Sequence, residues 1–141
     1  MPLAMILGPL FAQVLLVFLL LALMGARRAA DVLGKKTDLE SVALREPHWS
    51  PKTLASAYSF SNQFELPVLF YVLTVLAIVT RHADYLFVAL SWAFVATRYL
   101  QALEHVTSNN VRRRGLIYIV GAAILSVAWG IFAFRILLTL P

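Results

Sequence analysis

The chain lacks cysteine, has few charged residues and has only one long polar segment. Without cysteine it has no disulfide, zinc–thiolate site or cysteine nucleophile. Charged residues make up 13% and hydrophobic residues 61% of the 141 positions, whereas in a soluble globular domain about a quarter are charged and about half apolar. The composition therefore excludes a soluble globular domain and predicts a membrane protein.

Four apolar segments account for most of the chain. A transmembrane helix needs about 20 apolar residues, and the segments at 3–26, 54–80, 85–108 and 115–140 all reach that length. The first is too long for the apolar core of a signal peptide, and its basic residues follow it. We predict one all-α domain over residues 1–141, an integral membrane up-down four-helix bundle, with a kink at Pro67 in the second span.

Most of the basic residues lie in two connecting segments, 27–53 and 109–114. Because Lys and Arg favour the cytoplasmic side of a membrane, both loops are predicted to be cytoplasmic and both termini to lie on the opposite side. Such residues also contact anionic headgroups, so membrane lipids are expected partners. Since the basic residues mark topology, no nucleic-acid partner is expected.

Two rows of polar side chains fall within the predicted spans. The row on the second span has i, i+4, i+7 spacing and consists of Tyr58, Asn62 and Glu65. The row on the third span consists of Arg98, Gln101, His105 and Ser108. Glu65 and Arg98 are each about 15 Å from the cytoplasmic ends of their antiparallel helices. They are expected at similar depth, where they could meet.

These rows allow two interpretations. An isolated Glu65–Arg98 ion pair would fix the register of two helices. Two full rows, together with Arg27 or Arg28 and the Arg112–Arg114 run, exceed what one pair needs. We therefore favour a polar ligand pocket in the cytoplasmic half of the bundle.

Two further patterns have simpler interpretations. His105 has no Asp, Glu or His at metal-ligand spacing, so no metal site is predicted. Small residues recur every four positions on the fourth span, which predicts close helix packing. They are Ala122, Ser126 and Gly130.

Three short segments resemble those of a known family. They are Ala26–Ala29 (ARRA) after the first span, Asn62–Glu65 (NQFE) followed by Pro67, and Arg98–Gln101 (RYLQ). With the four-span plan, they resemble the membrane-associated proteins in eicosanoid and glutathione metabolism (MAPEG family) over nearly the whole chain. Within that family the chain looks like a bacterial-type microsomal glutathione transferase, which implies a bacterial inner membrane.

The resemblance implies a homotrimer that binds glutathione, as co-substrate, between subunits near the cytoplasmic side. By family pattern, Asn62, Glu65, Arg98 and Arg27 or Arg28 would hold its polar groups. Glutathione has two carboxylates and an ammonium, which several Arg and one Glu suit chemically. Three further members of the two polar rows are expected to line the same site, namely Tyr58, Gln101 and His105.

The resemblance also implies catalytic residues. The prostaglandin synthase pattern of the family maps its catalytic Arg and a following Tyr onto Arg114 and Tyr118. A thiol with a pKa near 8.5 is only a few per cent ionised at neutral pH, so a guanidinium that stabilises the thiolate raises the reactive fraction. The chain departs from family patterns at four positions: Tyr58, His105, Asn110 and Gly115.

Three functions remain open at this point. The first is a glutathione transferase or peroxidase that presents a thiolate to lipophilic electrophiles from the bilayer. The second is a non-catalytic, lipid-binding member of the same family, which the departures at Tyr58 and Asn110 favour. The third is a small proton-coupled exporter with Glu65 as proton carrier, although such exporters usually carry their acid in the first span, which has none here.

Overall fold

The computed structural model describes residues 1–44 and 48–138. Within these ranges the regular elements are α1 (Leu3–Leu33), a 3₁₀ turn (Glu40–Val42), α2 (Pro51–Asn62), α3 (Leu66–Val79), α4 (Tyr85–Val106) and α5 (Val111–Leu138). Because α2 and α3 follow each other in one span, the described residues hold four segments long and apolar enough to cross a membrane. The prediction of an all-α, four-span membrane protein is confirmed. The predicted end of the fourth span, at residue 140, lies outside the described residues.

The first helix is longer than its apolar segment. α1 runs through the polar residues after position 26 and ends at Leu33, because that stretch is rich in the strong helix formers Ala and Arg. The backbone N–H of Gly34 bonds to the carbonyl of Ala30 at 2.9 Å, and Lys35 leaves the helix with φ +55°. The first part of the predicted 27–53 loop is therefore helical.

The second span is interrupted where the sequence predicted only a kink. α2 ends at Asn62 and α3 begins at Leu66. Pro67 cannot donate a hydrogen bond to the carbonyl four residues earlier, and its ring disfavours a helical conformation in the residue before it. Glu65 takes φ −100° and ψ −106° at the break. A tight turn replaces the regular ladder, with the N–H of Glu65 bonded to the Asn62 carbonyl at 3.4 Å.

The fourth span is formed by α5, which begins at Val111, earlier than the predicted residue 115. Asn110 caps it, because its Oδ1 accepts a hydrogen bond from the backbone N–H of Arg113 at 3.1 Å. The run Arg112–Arg114 consequently lies in the first turn of α5, and the connection after α4 is short. The N-terminus of α4 is capped by Asp84, whose Oδ1 accepts a hydrogen bond from the backbone N–H of Phe87 at 2.8 Å.

α4 lies at the centre of the bundle and packs against α1, α2 and α5. Its apolar contacts join α3 and α5 in a core that includes Phe70, Phe94 and Leu125. Large apolar side chains cover much of the outer surface, as expected where the surroundings are lipid.

The packing face of α5 is displaced from the predicted one. Its buried residues are Gly121, Leu125 and Ala128, whereas Ser126 and Gly130 are exposed. Spacing alone cannot distinguish two neighbouring rows, and the contact between Gly121 and α4 selects the earlier one.

Candidate functional site

Polar side chains of α4 and α5 face each other along the interface between these helices. On α4 they follow the spacing i, i+3, i+7, and on α5 the spacing i, i+4, so each set occupies one helix face. We call this set the polar column. It consists of Arg98, Gln101 and His105 on α4 and Arg114 and Tyr118 on α5.

Arg98 is the deepest charged member of the polar column, and its side chain is completely buried. Its guanidinium carbon lies 5.3 Å from the ring centroid of Tyr118 and 5.6 Å from that of Phe94. Among the described residues, none accepts a hydrogen bond from its Nε, Nη1 or Nη2. Aromatic faces attract a cation but do not replace the hydrogen bonds that a buried charge needs. Arg98 is therefore an under-coordinated cation in the bundle interior.

The next two members of the column also have unsatisfied atoms. The Oε1 of Gln101 and the Nδ1 of His105 are buried and have no hydrogen-bond partner among the described residues. Buried polar atoms are normally paired with protein or with a bound molecule. Gln101 offers an acceptor and His105 a ring nitrogen, so the column presents both kinds of hydrogen-bonding group beside Arg98.

The end of the column nearest the α4–α5 connection is defined by Arg114. Its Nη1 donates to Asn109 Oδ1 at 2.6 Å, and its charge acts electrostatically on His105. Arg114 is half-buried, whereas the two arginines before it in the first turn of α5, Arg112 and Arg113, are exposed. Arg114 is thus the arginine of the run that belongs to the polar column.

The α2 row does not form the expected pair with Arg98. Glu65 and Tyr58 are exposed, and Asn62 is half-buried. Glu65 interacts electrostatically with Arg98, but no salt bridge within 4.0 Å joins these two described residues. The break after Asn62 places Glu65 outside continuous helix, so helical spacing no longer determines its direction. The hypothesis of a structural ion pair is therefore not supported.

Arg27 holds three elements together at the end of α1. Its Nη1 donates to the Lys52 carbonyl at 2.8 Å and to Ser56 Oγ at 2.7 Å. Its Nη2 donates to the Val106 carbonyl at the end of α4, at 3.1 Å. The guanidinium is therefore committed to the joints between α1, α2 and α4. Arg28 is placed differently, 5.3 Å from the ring centroid of Trp49.

Sequence reasoning did not assign a role to two residues next to the site. Gly121 on α5 lies so close to α4 that an added Cβ would meet Thr97 and Arg98, and a pattern of small residues cannot reveal which one packs so closely. Gln13 is the lone polar residue of the first apolar segment, and that isolation was the available signal. It is fully buried, and its Nε2 donates to Gln63 Oε1 at 3.0 Å, next to the break between α2 and α3.

With the site described, the sequence can be compared with known proteins. A model of the MAPEG family matches residues 6–134. The chain belongs to the MAPEG family. No curated protein and no solved structure matches it. MAPEG membership and four apolar helices together identify an integral membrane protein. The family is associated with glutathione, which favours a glutathione-related function over the exporter hypothesis.

No group of three His, Asp or Glu side chains in residues 1–44 and 48–138 of this MAPEG chain is arranged to hold a metal ion. The side chains of the polar column are instead suited to binding an anion. Arg98 and Arg114 are at two levels of the polar column, with Gln101 and His105 on the same face of α4. A ligand with separated negative groups and amide groups can satisfy these atoms together.

Proposed function

We propose that this protein binds glutathione along the polar column and acts as a membrane glutathione transferase or peroxidase on lipophilic electrophiles. The observation that carries the proposal is Arg98, a fully buried guanidinium without a hydrogen-bond acceptor among the described residues. An uncompensated buried charge costs several kcal/mol, on the order of 3–5. A bound carboxylate removes that cost with charge-assisted hydrogen bonds.

Glutathione matches the column in charge and in hydrogen-bonding groups. Its two carboxylates suit Arg98 and other cations at this end of the bundle, and its peptide groups suit Gln101 and His105, each of which has a buried unsatisfied atom. Glu65 is exposed and acts electrostatically on Arg98. With Asn62, it is our candidate for binding the glutathione ammonium.

Arg114 and Tyr118 are our candidates for the chemical step. The thiol of glutathione gives up its proton to water, and the positive charge of Arg114 stabilises the thiolate. With 1-chloro-2,4-dinitrobenzene, the sulfur forms a bond to the ring carbon and chloride leaves with the bonding electron pair. Tyr118 packs against Arg98 and lies one helical turn from Arg114, between the binding and reacting ends of the column.

Two measurements test the proposal. Isothermal titration calorimetry with glutathione should give binding in the wild type and a loss of it in Glu65→Ala and Arg98→Ala. Conjugation of 1-chloro-2,4-dinitrobenzene should fall by about 100-fold or more in Arg114→Ala, as for loss of a group that stabilises developing charge. Arg112→Ala, exposed in the same turn, is the matched control. Unchanged conjugation in Arg114→Ala would show that the assignment is wrong.

A non-catalytic, lipid-binding function is the second candidate. The hydrogen bond from Arg114 to Asn109 favours it, because this arginine already has an acceptor at 2.6 Å. The absence of glutathione binding at millimolar concentration, together with binding of a fluorescent fatty acid, would select this function. Binding of glutathione by the wild type, lost in Arg98→Ala, would select the first.

We also infer a homotrimer whose termini face away from the cytoplasm. The trimer is inferred from family membership. The topology is inferred from the basic residues at the end of α1, in the connection after it and in the first turn of α5. Because the chain lacks cysteine, single cysteines introduced at Lys36 and at Ala83 can be labelled without background. An impermeant maleimide applied to intact cells should label position 83 alone. Light scattering of the detergent complex, corrected for bound detergent, should give the mass of three chains.

A further inference from the structure

Gly121 of α5 lies against the side chains of Thr97 and Arg98 on α4. A Cβ at this position would be 2.5 Å from Thr97 Oγ1 and 3.3 Å from Arg98 Nη2. Non-bonded atoms normally approach to about 3.5–4.0 Å. The Thr97 hydroxyl has a fixed role, since it donates to the Phe94 carbonyl at 2.6 Å. Any side chain at position 121 would therefore displace Thr97, Arg98 or the helix itself.

The residues around Gly121 also determine where the Arg98 guanidinium lies. Phe94 lies one turn before Arg98 on α4, and Tyr118 lies one turn before Gly121 on α5. Their ring centroids are 5.6 Å and 5.3 Å from the guanidinium carbon, and a side chain at position 121 would come within 3.3 Å of its Nη2. We propose that Gly121 is a positioning residue for Arg98: its missing side chain lets the guanidinium lie between these two rings and face the ligand. The proposal rests on the proposed function, because it takes the ligand to be glutathione.

The chain offers matched controls on the same helix. Gly115 and Gly130 also lie in α5, and a Cβ at either would meet nothing within 4 Å. An alanine in a helix interior is favoured over glycine by its intrinsic propensity. Gly115→Ala and Gly130→Ala should therefore raise the unfolding temperature or leave it unchanged. A different response in Gly121→Ala then reports the contact with α4.

The first experiment measures glutathione affinity by calorimetry. Gly121→Ala should weaken binding by about tenfold or more, since a misplacement of about 1 Å has effects of this order, and Gly130→Ala should not. The double variant Thr97→Ala/Gly121→Ala should regain most of the affinity, because it removes the atom at 2.5 Å. Thr97→Ala alone is the control and should bind as the wild type does. Equal affinity in Gly121→Ala and Gly130→Ala would overturn the proposal.

The second experiment does not depend on glutathione. The Nε–H signal of Arg98 in a ¹⁵N-arginine spectrum can be assigned by its loss in Arg98→Lys. Gly121→Ala should shift this signal, because the guanidinium leaves its place beside two aromatic rings, and Gly130→Ala should not. If the wild type fails to bind glutathione, the proposed function fails, and the signal still decides the role of Gly121. An unmoved signal would overturn that role, and a moved signal with wild-type affinity would overturn its link to binding.

Discussion

The guanidinium of Arg98 and the ring of Tyr118 face each other between α4 and α5, with the guanidinium carbon 5.3 Å from the ring centroid. Neither the phenol nor any other described group accepts a hydrogen bond from the Arg98 nitrogens. The ring of Tyr118 attracts the Arg98 cation but supplies neither a negative charge nor a hydrogen-bond acceptor. Arg98 should consequently weaken the unliganded fold while strengthening the liganded one.

This trade-off gives the first prediction. Arg98→Met keeps most of the side-chain volume and removes the buried charge, so it should stabilise the unliganded protein by about 1–3 kcal/mol. Glutathione should no longer raise the unfolding temperature, since binding to the native state is lost. Thermal unfolding in detergent, with and without glutathione, measures both effects. Arg112→Met, at an exposed position, is the control. A lower unfolding temperature for unliganded Arg98→Met would contradict this account.

Removing Arg27, in contrast to removing Arg98, should destabilise the protein. Its guanidinium donates to Lys52, Ser56 and Val106, and hydrogen bonds to a charged group contribute about 1.5–3 kcal/mol each when buried. Part of this site is exposed, so Arg27→Ala should lower the free energy of unfolding by about 2 kcal/mol. Chemical denaturation measures the loss, with Arg113→Ala as the control.

The same variant separates structure from binding. We expect Arg27→Ala, at a temperature where it is folded, to bind glutathione with an affinity close to that of the wild type. A large loss of affinity without a loss of stability would return Arg27 to the binding role that the family resemblance implies.

The sequence predicts part of the site well, for a physical reason. Arg98, Gln101 and His105 share one face of an uninterrupted helix, where the 3.6-residue period determines direction. Glu65 illustrates the limit, because the break before α3 ends that period. Arg27 illustrates another, since one of its acceptors is a backbone carbonyl 79 residues away. Backbone acceptors leave no trace in a pattern of side chains.

The pair Gln13 and Gln63 offers a third prediction, at the break in the second span. Gln13 Nε2 donates to Gln63 Oε1 at 3.0 Å, and both side chains are buried. Gln13→Leu should destabilise the protein by about 1 kcal/mol, the usual scale for polar contacts between transmembrane helices. The double variant Gln13→Leu/Gln63→Leu should lose less than the sum of the single variants, because no partner is left unpaired. Strictly additive losses would show that the contact is not energetically coupled.

The ion pair between Asp84 and Arg135 gives a pH-dependent prediction at the opposite end of the bundle. Arg135 Nη1 lies 2.6 Å from Asp84 Oδ2, and Asp84 also caps α4. Burial alone would raise the pKa of Asp84, but hydrogen bonds from Phe87 and Arg135 outweigh it, so the pKa lies below its ordinary value of 3.8. A carboxyl with a lowered pKa stabilises the fold above its unfolded-state pKa, and this contribution is lost as the pH falls through the folded-state pKa.

Unfolding measured between about pH 6 and about pH 3 tests this linkage. The wild type should lose stability below about pH 4, and Asp84→Asn, which keeps an oxygen for the cap, should lose less over the same interval. The side chains are 34% and 43% exposed, so solvent screening limits the difference to about 1 kcal/mol or less. Asp38→Asn is the control, because that carboxyl lies in the connection between α1 and α2, far along the chain from α4. Parallel pH profiles for the wild type and Asp84→Asn would show that the pair makes no net contribution, as many exposed ion pairs do not.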